Sequence, residues 1–341
     1  MTKLLVIRFS SIGDLVLTTP VLRAIKQQLE GEIELHVLTK KQYAMVLDGN
    51  PHVDRIHCIE KNVQEVLTDL IDEHFDYVID LHGNLRSSQV KRKLNCPNFT
   101  FKKYNIEKWL WVNFGINRMP QKHIVERYLD TLESFDVKPD NQGLEYYIPE
   151  NAKIPKSDLP AIMQTPFIAF AIGAAHAGKH MSEKKLLEVC KSIKQPLVLL
   201  GGPDDKLLGD RITEACGTHV YNACGKWSIH QSADAIRRAE IVIAGDTGMM
   251  HIAAALTKKI ISLWGCTVPG LGMSAYKPHP SSIIIEPKKR NRLRIHSRPC
   301  SKLGNRCKYG MDNRCIDQIE ITEITGAIET LWAPQTAPSV P

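Results

Sequence analysis

Short, continuously apolar segments alternate with longer amphipathic segments along most of the chain. In the first half the apolar segments predict strands at Leu4–Arg8, Ile33–Leu38, Arg55–Ile59 and Tyr77–Leu81. The intervening pattern predicts helices at Gly13–Leu29 and Val63–His74. Because strands buried on both faces are apolar throughout, this alternation indicates a parallel sheet with right-handed helical crossovers.

The same alternation restarts in the second half. Strands are predicted at Phe167–Ile172, Leu197–Leu200, Ile241–Ala244, Ile260–Trp264 and Ser282–Ile285. Helices are predicted at Ser182–Ser192, Lys206–Cys216, Ser228–Ala239, Met249–Leu256 and, near the end, Ile319–Trp332. The second half therefore predicts another doubly wound α/β unit.

A proline-containing segment separates the two units. Residues 141–166 contain Pro149, Pro155, Pro160 and Pro166, which is typical of a linker. We expect an α/β protein with domains at residues 1–160 and 161–333, followed by a frayed tail at 334–341. The two domains, similar in size, would face each other across a cleft.

Composition narrows the class of protein. The chain has 341 residues, 43% hydrophobic and 24% charged, which are ordinary globular values. No apolar run approaches the roughly 20 residues that span a bilayer, and the apolar stretch after Lys3 is too short for a secretory signal. Nine cysteines, mostly scattered, indicate reduced thiols and a cytoplasmic location.

Positive charge is concentrated in two segments. Residues 85–127 hold ten Lys/Arg against two Glu, and residues 288–308 hold nine Lys/Arg and no acid. Such segments favour an anionic partner. The candidates are phosphates, nucleic acid and an acidic membrane surface. The plainer alternative is two solvated basic faces.

Neither a GxGxxG fingerprint nor a GxxxxGK[ST] loop is present, so candidate chemistry is sought just after each strand. After the first strand, small residues turn the chain and place Asp14 in the first turn of a helix. One interpretation is a helix cap. The other is a general base at the cleft, positioned to take a proton from a hydroxyl.

Two second-half loops are suited to a diphosphate. After the strand at Ile241–Ala244, Gly248 permits close backbone approach, and the helix that follows offers free N–H groups. Thr247 adds a hydroxyl and His251 lies one turn later, whereas Asp246 is better suited to sugar hydroxyls. After Phe167–Ile172, a small-residue loop ends in Lys179, which could neutralise phosphate. A capped turn and a solvated lysine are the plainer alternatives.

The first half offers cations for an acceptor. Arg86 closes the segment that starts at Asp80 after the fourth strand. His123 and Arg127 are four residues apart, so they are predicted to share a helix face and, with Arg86, to form a cationic wall. An exposed pair without function is the alternative.

Three cysteines lie in the basic C-terminal segment. Cys300, Cys307 and Cys315 could bind zinc with His296, but they lack the C-x2–4-C spacing usual for zinc. Plain loop packing is the favoured interpretation, and no metal or other cofactor is predicted.

These motifs together resemble glycosyltransferase family 9, the ADP-heptose:lipopolysaccharide heptosyltransferases, over nearly the whole chain. The most specific match is Gly245–Leu256, which is similar to the family's nucleotide-sugar motif. The segments Ile7–Asp14 and Asp80–Arg86 resemble its acceptor loop and its Asp-x-x-Gly-x-x-Arg/Lys segment. The trio Cys300, Cys307 and Cys315 is reminiscent of many members.

The resemblance implies a GT-B architecture and inverting, metal-independent transfer from a nucleotide sugar, ADP-heptose, to the lipopolysaccharide inner core. It implies that Asp14 is the general base. The implied donor-side residues are Lys179, Asp246, Thr247, Gly248 and His251. The implied acceptor-side residues are Arg86, His123 and Arg127. The anionic acceptor, whose lipid lies in the membrane, implies peripheral contact with the inner face of the cytoplasmic membrane.

Some positions depart from the family's pattern. Ala174 and Ala175 stand where hydroxyl residues often precede the phosphate lysine, and Met181 replaces a common aromatic residue. The donor could therefore be a different nucleotide sugar. The protein could also be another GT-B enzyme, such as an epimerase. A non-catalytic two-domain anion-binding module is the rival from another class. No nucleic-acid motif accompanies Trp109 and Trp111 in the basic segment, so nucleic acid is not expected as a partner.

Overall fold

The structure is a computed structural model that describes residues 1–288, 298–305 and 314–332. In its first half, α-helices alternate with parallel strands. The strands are β1 Thr2–Ile7, β2 Ile33–Lys40, β3 Arg55–Ile59, β4 Tyr77–Asp80 and β5 Asn98–Thr100. The helices are α1 Ile12–Val16, α2 Thr19–Gln28, α3 Lys41–Ala44, α4 Leu67–Asp72, α5 Leu85–Leu94, α6 Asn105–Phe114 and α7 Ile124–Leu129.

The second half repeats this arrangement with its own sheet. The strands are β6 Ile168–Ala171, β7 Leu197–Leu200, β8 Val220–Asn222, β9 Ile241–Gly245, β10 Lys259–Leu263 and β11 Ile283–Ile285. The helices are α8 Glu183–Ser192, α9 Lys206–Cys216, α10 Ile229–Arg238, α11 Gly248–Ala255 and α12 Ile321–Leu331.

Both sheets are parallel and doubly wound. The first has the order β3-β2-β1-β4-β5 and the second β11-β10-β9-β6-β7-β8. This confirms the predicted α/β class with two sheet-centred halves. The domain boundaries at residues 160 and 333 stay predictions, and the tail at 334–341 lies outside the described residues. No helix in the described residues combines the length and the apolar character needed to cross a membrane.

Several predicted bounds differ from the structure. The helix expected at Gly13–Leu29 is divided into α1 and α2, with Pro20 in the first turn of α2. The apolar pattern continues through the break because both helices are buried on the same core, so periodicity alone could not locate it. Strands β5 and β8 were not predicted; each spans three residues, too few to give a pattern.

The segment between the halves is held in place at several points. Arg23, buried on α2, donates from Nε to Asp140 Oδ2 at 2.6 Å and from Nη2 to the Gly143 carbonyl oxygen at 3.0 Å. Further along, the backbone N–H of Ile154 donates to Asp234 Oδ2 on α10 at 3.2 Å. The predicted linker is therefore held by hydrogen bonds between its backbone groups and the buried charged side chains of Arg23 and Asp234.

The halves meet where α1 and α11 begin. A Cβ added to Gly13 would lie 2.7 Å from His251 Cδ2 and 3.2 Å from Gly248 Cα. A Cβ on Gly248 would lie 2.7 Å from Ile12 Cγ2. Because real Cβ atoms do not approach that closely, glycine at both positions permits the helix starts to touch. One continuous hydrophobic core extends across both halves around this contact.

We expect Gly13→Ala to destabilise the protein by about 1–3 kcal/mol, because the new methyl group overpacks the α1–α11 contact. Gly326→Ala on α12 is the matched control, since no atom other than its chain neighbours and its own helix backbone lies within 4 Å of the added Cβ. Alanine there gains up to about 1 kcal/mol of helix propensity. Thermal unfolding measures both. Equal melting temperatures for the two variants would contradict a tight contact at Gly13.

Candidate active site

Asp14 lies in the first turn of α1, where β1 has ended, as the sequence predicted. Its Oδ1 is 2.6 Å from Arg8 Nη2. Its Oδ2 accepts hydrogen bonds from the backbone N–H and the hydroxyl of Ser11, both at 2.9 Å. The carboxylate is therefore a helix cap and also one partner of an ion pair at the cleft.

Burial raises the pKa of the Asp14 carboxyl, but the positive charge of Arg8 and the hydrogen bonds from Ser11 outweigh it. The resulting pKa lies below the ordinary value, so the side chain is ionised at neutral pH. Arg8 is itself fixed, since its Nη1 and Nε donate to the carbonyl oxygens of Leu81 and Ser10 at 2.5 and 2.8 Å. The ion pair thus fixes both the charge and the position of Asp14.

Two second-half loops converge because their strands are neighbours. β6 pairs with β9, which brings Lys179 to the loop after β9. Lys179 Nζ lies 2.7 Å from Asp246 Oδ2 and donates to the Asp246 carbonyl oxygen at 2.9 Å. Asp246 Oδ2 also accepts from the Thr267 hydroxyl at 2.9 Å. The lysine expected to meet phosphate is therefore held by the aspartate expected to meet sugar.

The start of α11 has polar atoms that the protein leaves unsatisfied. Within the described residues, Thr247 Oγ1 and His251 Nδ1 are buried without a hydrogen-bond partner. Burial lowers the pKa of His251 to about 4, although Asp246 opposes the shift, so the imidazole is neutral at pH 7. The first N–H groups of a helix lack acceptors one turn earlier, and of those at the start of α11 Met250 donates to the Thr247 carbonyl oxygen at 3.2 Å. Together these groups form a preorganised polar surface for an anionic ligand.

A recess of about 380 Å³, which includes space open to solvent, lies beside this surface. It sits at the carboxyl ends of β6, β9 and β10, where open α/β sheets bind ligands. Gly173, Lys179, Gly245 and Thr247 contribute to its lining. The recess therefore adjoins two of the predicted donor-side residues.

The segment after β4 has mainly a structural role up to its last residue. Asp80 is buried, and its Oδ1 accepts from the backbone N–H groups of His82 and Gly83 at 3.0 and 2.7 Å. Asn84 then caps α5 by accepting from the Ser87 N–H at 3.0 Å. Arg86 follows in the first turn and is exposed. The turn thus presents Arg86 to solvent, and its contact with an acceptor stays a prediction.

His123 and Arg127 do not form the predicted cationic wall with Arg86, because His123 is the residue before α7 and is neutral at pH 7. His123 precedes α7, where its Nδ1 accepts from the Val125 N–H at 3.2 Å and its Nε2 contacts the Ser274 carbonyl oxygen at 2.8 Å. Burial lowers the pKa of His123 to about 4, so it supplies no positive charge at neutral pH. Helical spacing could not reveal this, because the contact comes from the other half.

Arg127 is fully buried at the same junction. Its Nη2 donates to the carbonyl oxygens of Lys122 and Leu271 at 2.7 and 3.2 Å. Its Nη1 is buried without a partner among the described residues. Arg127 therefore connects the halves and keeps one free donor, and its role toward an acceptor stays a prediction.

Sequence reasoning missed two lysines that reinforce the positive charge near Asp14. Burial, then the charge of Arg8, lowers the pKa of Lys103. Burial, followed by Arg127 and Lys302, lowers the pKa of Lys108 to about 8, while Asp14 opposes both shifts. Neither ammonium pairs with a carboxylate in the part of the chain that the structure describes. Both had been counted within the basic segment, but charge density alone could not separate them from its exposed lysines.

Arg8 and Thr267 were also not assigned a role. Arg8 belongs to the quoted Ile7–Asp14 segment, and Thr267 comes three residues after the predicted Ile260–Trp264 strand. The rule that ligands bind beyond strand ends would have identified both positions.

The candidate metal ligands divide into two groups. Cys300 and Cys315 are buried, whereas Cys307 and His296 lie outside the described residues. Elsewhere, ligand atoms of His36, His57 and Glu73 lie within 4.8 Å of one another. The two imidazoles hydrogen-bond to each other at 3.0 Å between His36 Nδ1 and His57 Nε2, and Glu73 is paired with Lys3 and Arg55. Protein groups thus already satisfy the ligand atoms of this second group.

The arrangement places an ionised carboxylate on one half and unsatisfied polar groups on the other. The two sets of groups are close together, because Gly13, the residue before Asp14, contacts both His251 and Gly248. A hydroxyl at Asp14 and a diphosphate at α11 could therefore occupy one crevice. This geometry suits a group transfer from a diphosphate to an alcohol.

Comparison with known proteins agrees with this geometry. The profile of glycosyltransferase family 9 (heptosyltransferase) matches residues 63–297. Lipopolysaccharide heptosyltransferase 1 of Campylobacter coli is 24% identical over 98% of this chain and 100% of that protein. Lipopolysaccharide heptosyltransferase 3 of Escherichia coli K12 is 24% identical over 96% of this chain and 97% of that protein.

Solved structures share the fold. A family 9 glycosyl transferase from Veillonella parvula aligns with a TM-score of 0.73 at 21% identity, covering 97% of both chains. The E. coli heptosyltransferase WaaC with ADP aligns with a TM-score of 0.67 at 19% identity, covering 97% of this chain and all of that one. The predicted GT-B architecture is thereby confirmed. Because the family profile matches more than half of the sequence, the chain belongs to glycosyltransferase family 9, the heptosyltransferases.

Proposed function

We propose that the protein transfers heptose from ADP-heptose to the inner core of lipopolysaccharide. The observation that carries the proposal is the position of Asp14 next to Gly13, which contacts the start of α11, where Thr247 and His251 have buried unsatisfied atoms. The full-length similarity to lipopolysaccharide heptosyltransferases supports the sugar and the acceptor class.

The transfer would proceed by a single displacement with inversion. The acceptor hydroxyl oxygen attacks the anomeric carbon, and the bond from that carbon to the diphosphate oxygen breaks. Asp14 takes the hydroxyl proton, and the bond electrons leave with ADP. The α11 N–H groups and Lys179 stabilise the charge that grows on the leaving diphosphate, so the proposed reaction needs no metal ion.

Each donor-side residue has a proposed contact. Gly248 lets the diphosphate approach the backbone, while Thr247 and His251 line it. Lys179 meets a phosphate oxygen, and Asp246 accepts from sugar hydroxyls. The existing bond between Lys179 and Asp246 would then position both side chains between phosphate and sugar.

On the acceptor side, we assign the anionic groups of the core to the first half. Arg86 and the free Nη1 of Arg127 supply positive charge, and His123 positions the start of α7. An acceptor whose lipid stays in the membrane would bring the enzyme to the cytoplasmic face of that membrane as a peripheral protein. Exposed charge attraction is screened within about 10 Å at 0.1 M salt, so such binding would weaken as salt rises.

A different nucleotide sugar is the second candidate donor. Ala174 and Ala175 supply no hydroxyl in the loop before Lys179, so only their backbone groups could contact a nucleotide there. Release of ADP on mixing the enzyme with ADP-heptose and a core acceptor tests the main proposal. Release of another nucleoside diphosphate from its own sugar, with ADP-heptose inert, would favour the second candidate.

Asp14→Asn should lower turnover by about 10²–10⁴-fold, the usual contribution of a general base, and leave ADP-heptose affinity unchanged. The amide can still accept from Ser11, so the fold should persist. Glu65→Gln is a control for capping alone, because Glu65 accepts from the Asn62 N–H at 2.7 Å at another helix start. Steady-state ADP release is the measurement. Full turnover by Asp14→Asn would exclude this residue as the base.

Lys179→Ala should weaken ADP-heptose binding about 10–100-fold, because a charge-assisted hydrogen bond contributes about 1.5–3 kcal/mol. Binding can be followed as the rise in melting temperature with donor concentration, since a ligand of the folded state stabilises it. Lys191→Ala, at an exposed position of α8, is the control. If the two variants bind the donor equally well, Lys179 does not hold the diphosphate.

Arg8→Met should move the acidic limb of the kcat/KM profile to higher pH by about 1–3 units. Without Arg8, the burial that raises the pKa of Asp14 is less opposed, so the carboxylate is protonated and inactive at a higher pH. Arg8→Lys retains the charge and should keep the limb nearer its original position. A uniform loss of activity at every pH, with no movement of the limb, would mean that Arg8 acts only on structure.

A further inference from the structure

Helix α6 exposes apolar side chains beside the cleft. Ile106, Trp109 and Phe114 on α6 and Ile116, two residues after its end, are 72%, 49%, 62% and 46% exposed and form what we call the aromatic patch. The Trp109 and Phe114 rings pack edge to face with centroids 5.2 Å apart. Single exposed apolar residues are ordinary, but a contiguous group marks an interaction surface.

The opposite face of α6 is fixed to the protein. Val112 is buried, and the Trp111 ring lies over Gly270 in the second half, where an added Cβ would be 2.7 Å from Trp111 Cη2. Lys302 Nζ also donates to the Asn105 carbonyl oxygen at 3.2 Å. Helix α6 is therefore packed against both halves. The patch is exposed although the helix is held in place.

Positive charge surrounds the patch. Lys102 and Arg118 flank α6 and are exposed. The surrounding residues 85–127 have an excess of eight positive charges, with ten Lys/Arg against two Glu. An apolar centre with a cationic rim complements a bilayer that has anionic headgroups, whereas two copies of this surface would repel each other. Tryptophan in particular favours the boundary between headgroups and acyl chains.

The helix also faces the reaction site. Lys108 lies on its inner side, close enough to Asp14, Lys103 and Arg127 to interact with their charges. Trp109, the next residue, lies on the outer side. A bilayer in contact with the patch would therefore lie one helix diameter, about 10 Å, from the groups around Asp14.

We propose that α6 is a membrane-docking helix, whose aromatic patch enters the interface of an anionic bilayer while Lys102 and Arg118 contact lipid headgroups. The inference rests on the proposed function in one respect, namely that the acceptor is held in a membrane. It adds a hydrophobic insertion to the charge attraction proposed above and assigns that insertion to one helix. The opening beside Asp14 would then face the lipid headgroups, where a lipid-linked acceptor is presented.

Cosedimentation with vesicles tests the docking surface. Vesicles of phosphatidylcholine with 30% phosphatidylglycerol should bind the full-length protein, and pure phosphatidylcholine vesicles should bind it less. The double variant Trp109→Ser/Phe114→Ser should bind the anionic vesicles at least about tenfold more weakly, because loss of about 1.4 kcal/mol of apolar burial has this effect. Ile106→Ser should weaken binding in the same direction. Leu207→Ser, at a comparably exposed position on α9, should bind like the unaltered protein.

Two readouts separate this inference from the proposed function. ADP release on a delipidated, water-soluble core acceptor should be the same for the double variant and the unaltered protein, because the patch contacts neither substrate. If the unaltered protein turns over this acceptor but does not bind anionic vesicles, the proposed membrane-docking role of α6 is wrong and the proposed function still holds. If vesicle binding depends on Trp109 and Phe114 but no heptose is transferred, the docking role holds and the proposed function is wrong.

The alternative occupant is a second copy of the chain. Size-exclusion chromatography with light scattering gives the mass of the unaltered protein and of the double variant. A dimer that dissociates in the double variant, together with equal vesicle binding by both proteins, would assign the patch to self-association and overturn the proposal. A mass unchanged by the substitutions, with vesicle binding lost, supports it.

Discussion

The contact between Gly13 and Gly248 sets the geometry on which the site depends. Each glycine lies in the first turn of its helix, and each helix follows a strand of a different sheet. Without side chains at these positions, the two helix starts approach to van der Waals contact. One helix carries the carboxylate of Asp14, and the other presents free N–H groups. The crevice thus exists because two small residues let two domains meet at their reactive ends.

Charge pairing holds the reactive groups before any substrate arrives. Arg8 keeps Asp14 ionised and oriented, and Lys179 is bonded to Asp246, which Thr267 also contacts. Such pairs are costly to bury unless their hydrogen bonds are satisfied, and here backbone carbonyls and hydroxyls satisfy most of them. Of the buried side-chain atoms without a partner in the described residues, those of Thr247, His251 and Arg127 lie at the crevice and the junction of the halves, whereas others, such as Thr213 Oγ1, lie elsewhere. The crevice therefore keeps free hydrogen-bonding groups that a ligand could use.

Helix α6 lies between the reaction site and the proposed membrane surface. Its inner side adds Lys108 to the positive field around Asp14, and its outer side exposes Trp109. Because Trp111 and Lys302 tie the helix to the second half, its position depends on how the halves meet. The surface that would contact a membrane and the crevice that would carry out transfer consequently share the same structural support.

The sequence by itself determined the two parallel sheets, nearly all of their strands, and the loops that carry Asp14, Lys179 and Asp246. These features depend on local patterns, since a buried strand is apolar throughout and polar residues at its carboxyl end mark a site. Only the tertiary structure decided that His123 is neutral, that Arg127 is buried between the halves, and that burial lowers the pKa of Lys108 while Trp109 stays exposed. Those properties depend on contacts between distant parts of the chain, such as His123 with Ser274, which are 151 positions apart. No pattern within one segment can contain them, because burial and charge at each position depend on which distant segment packs there.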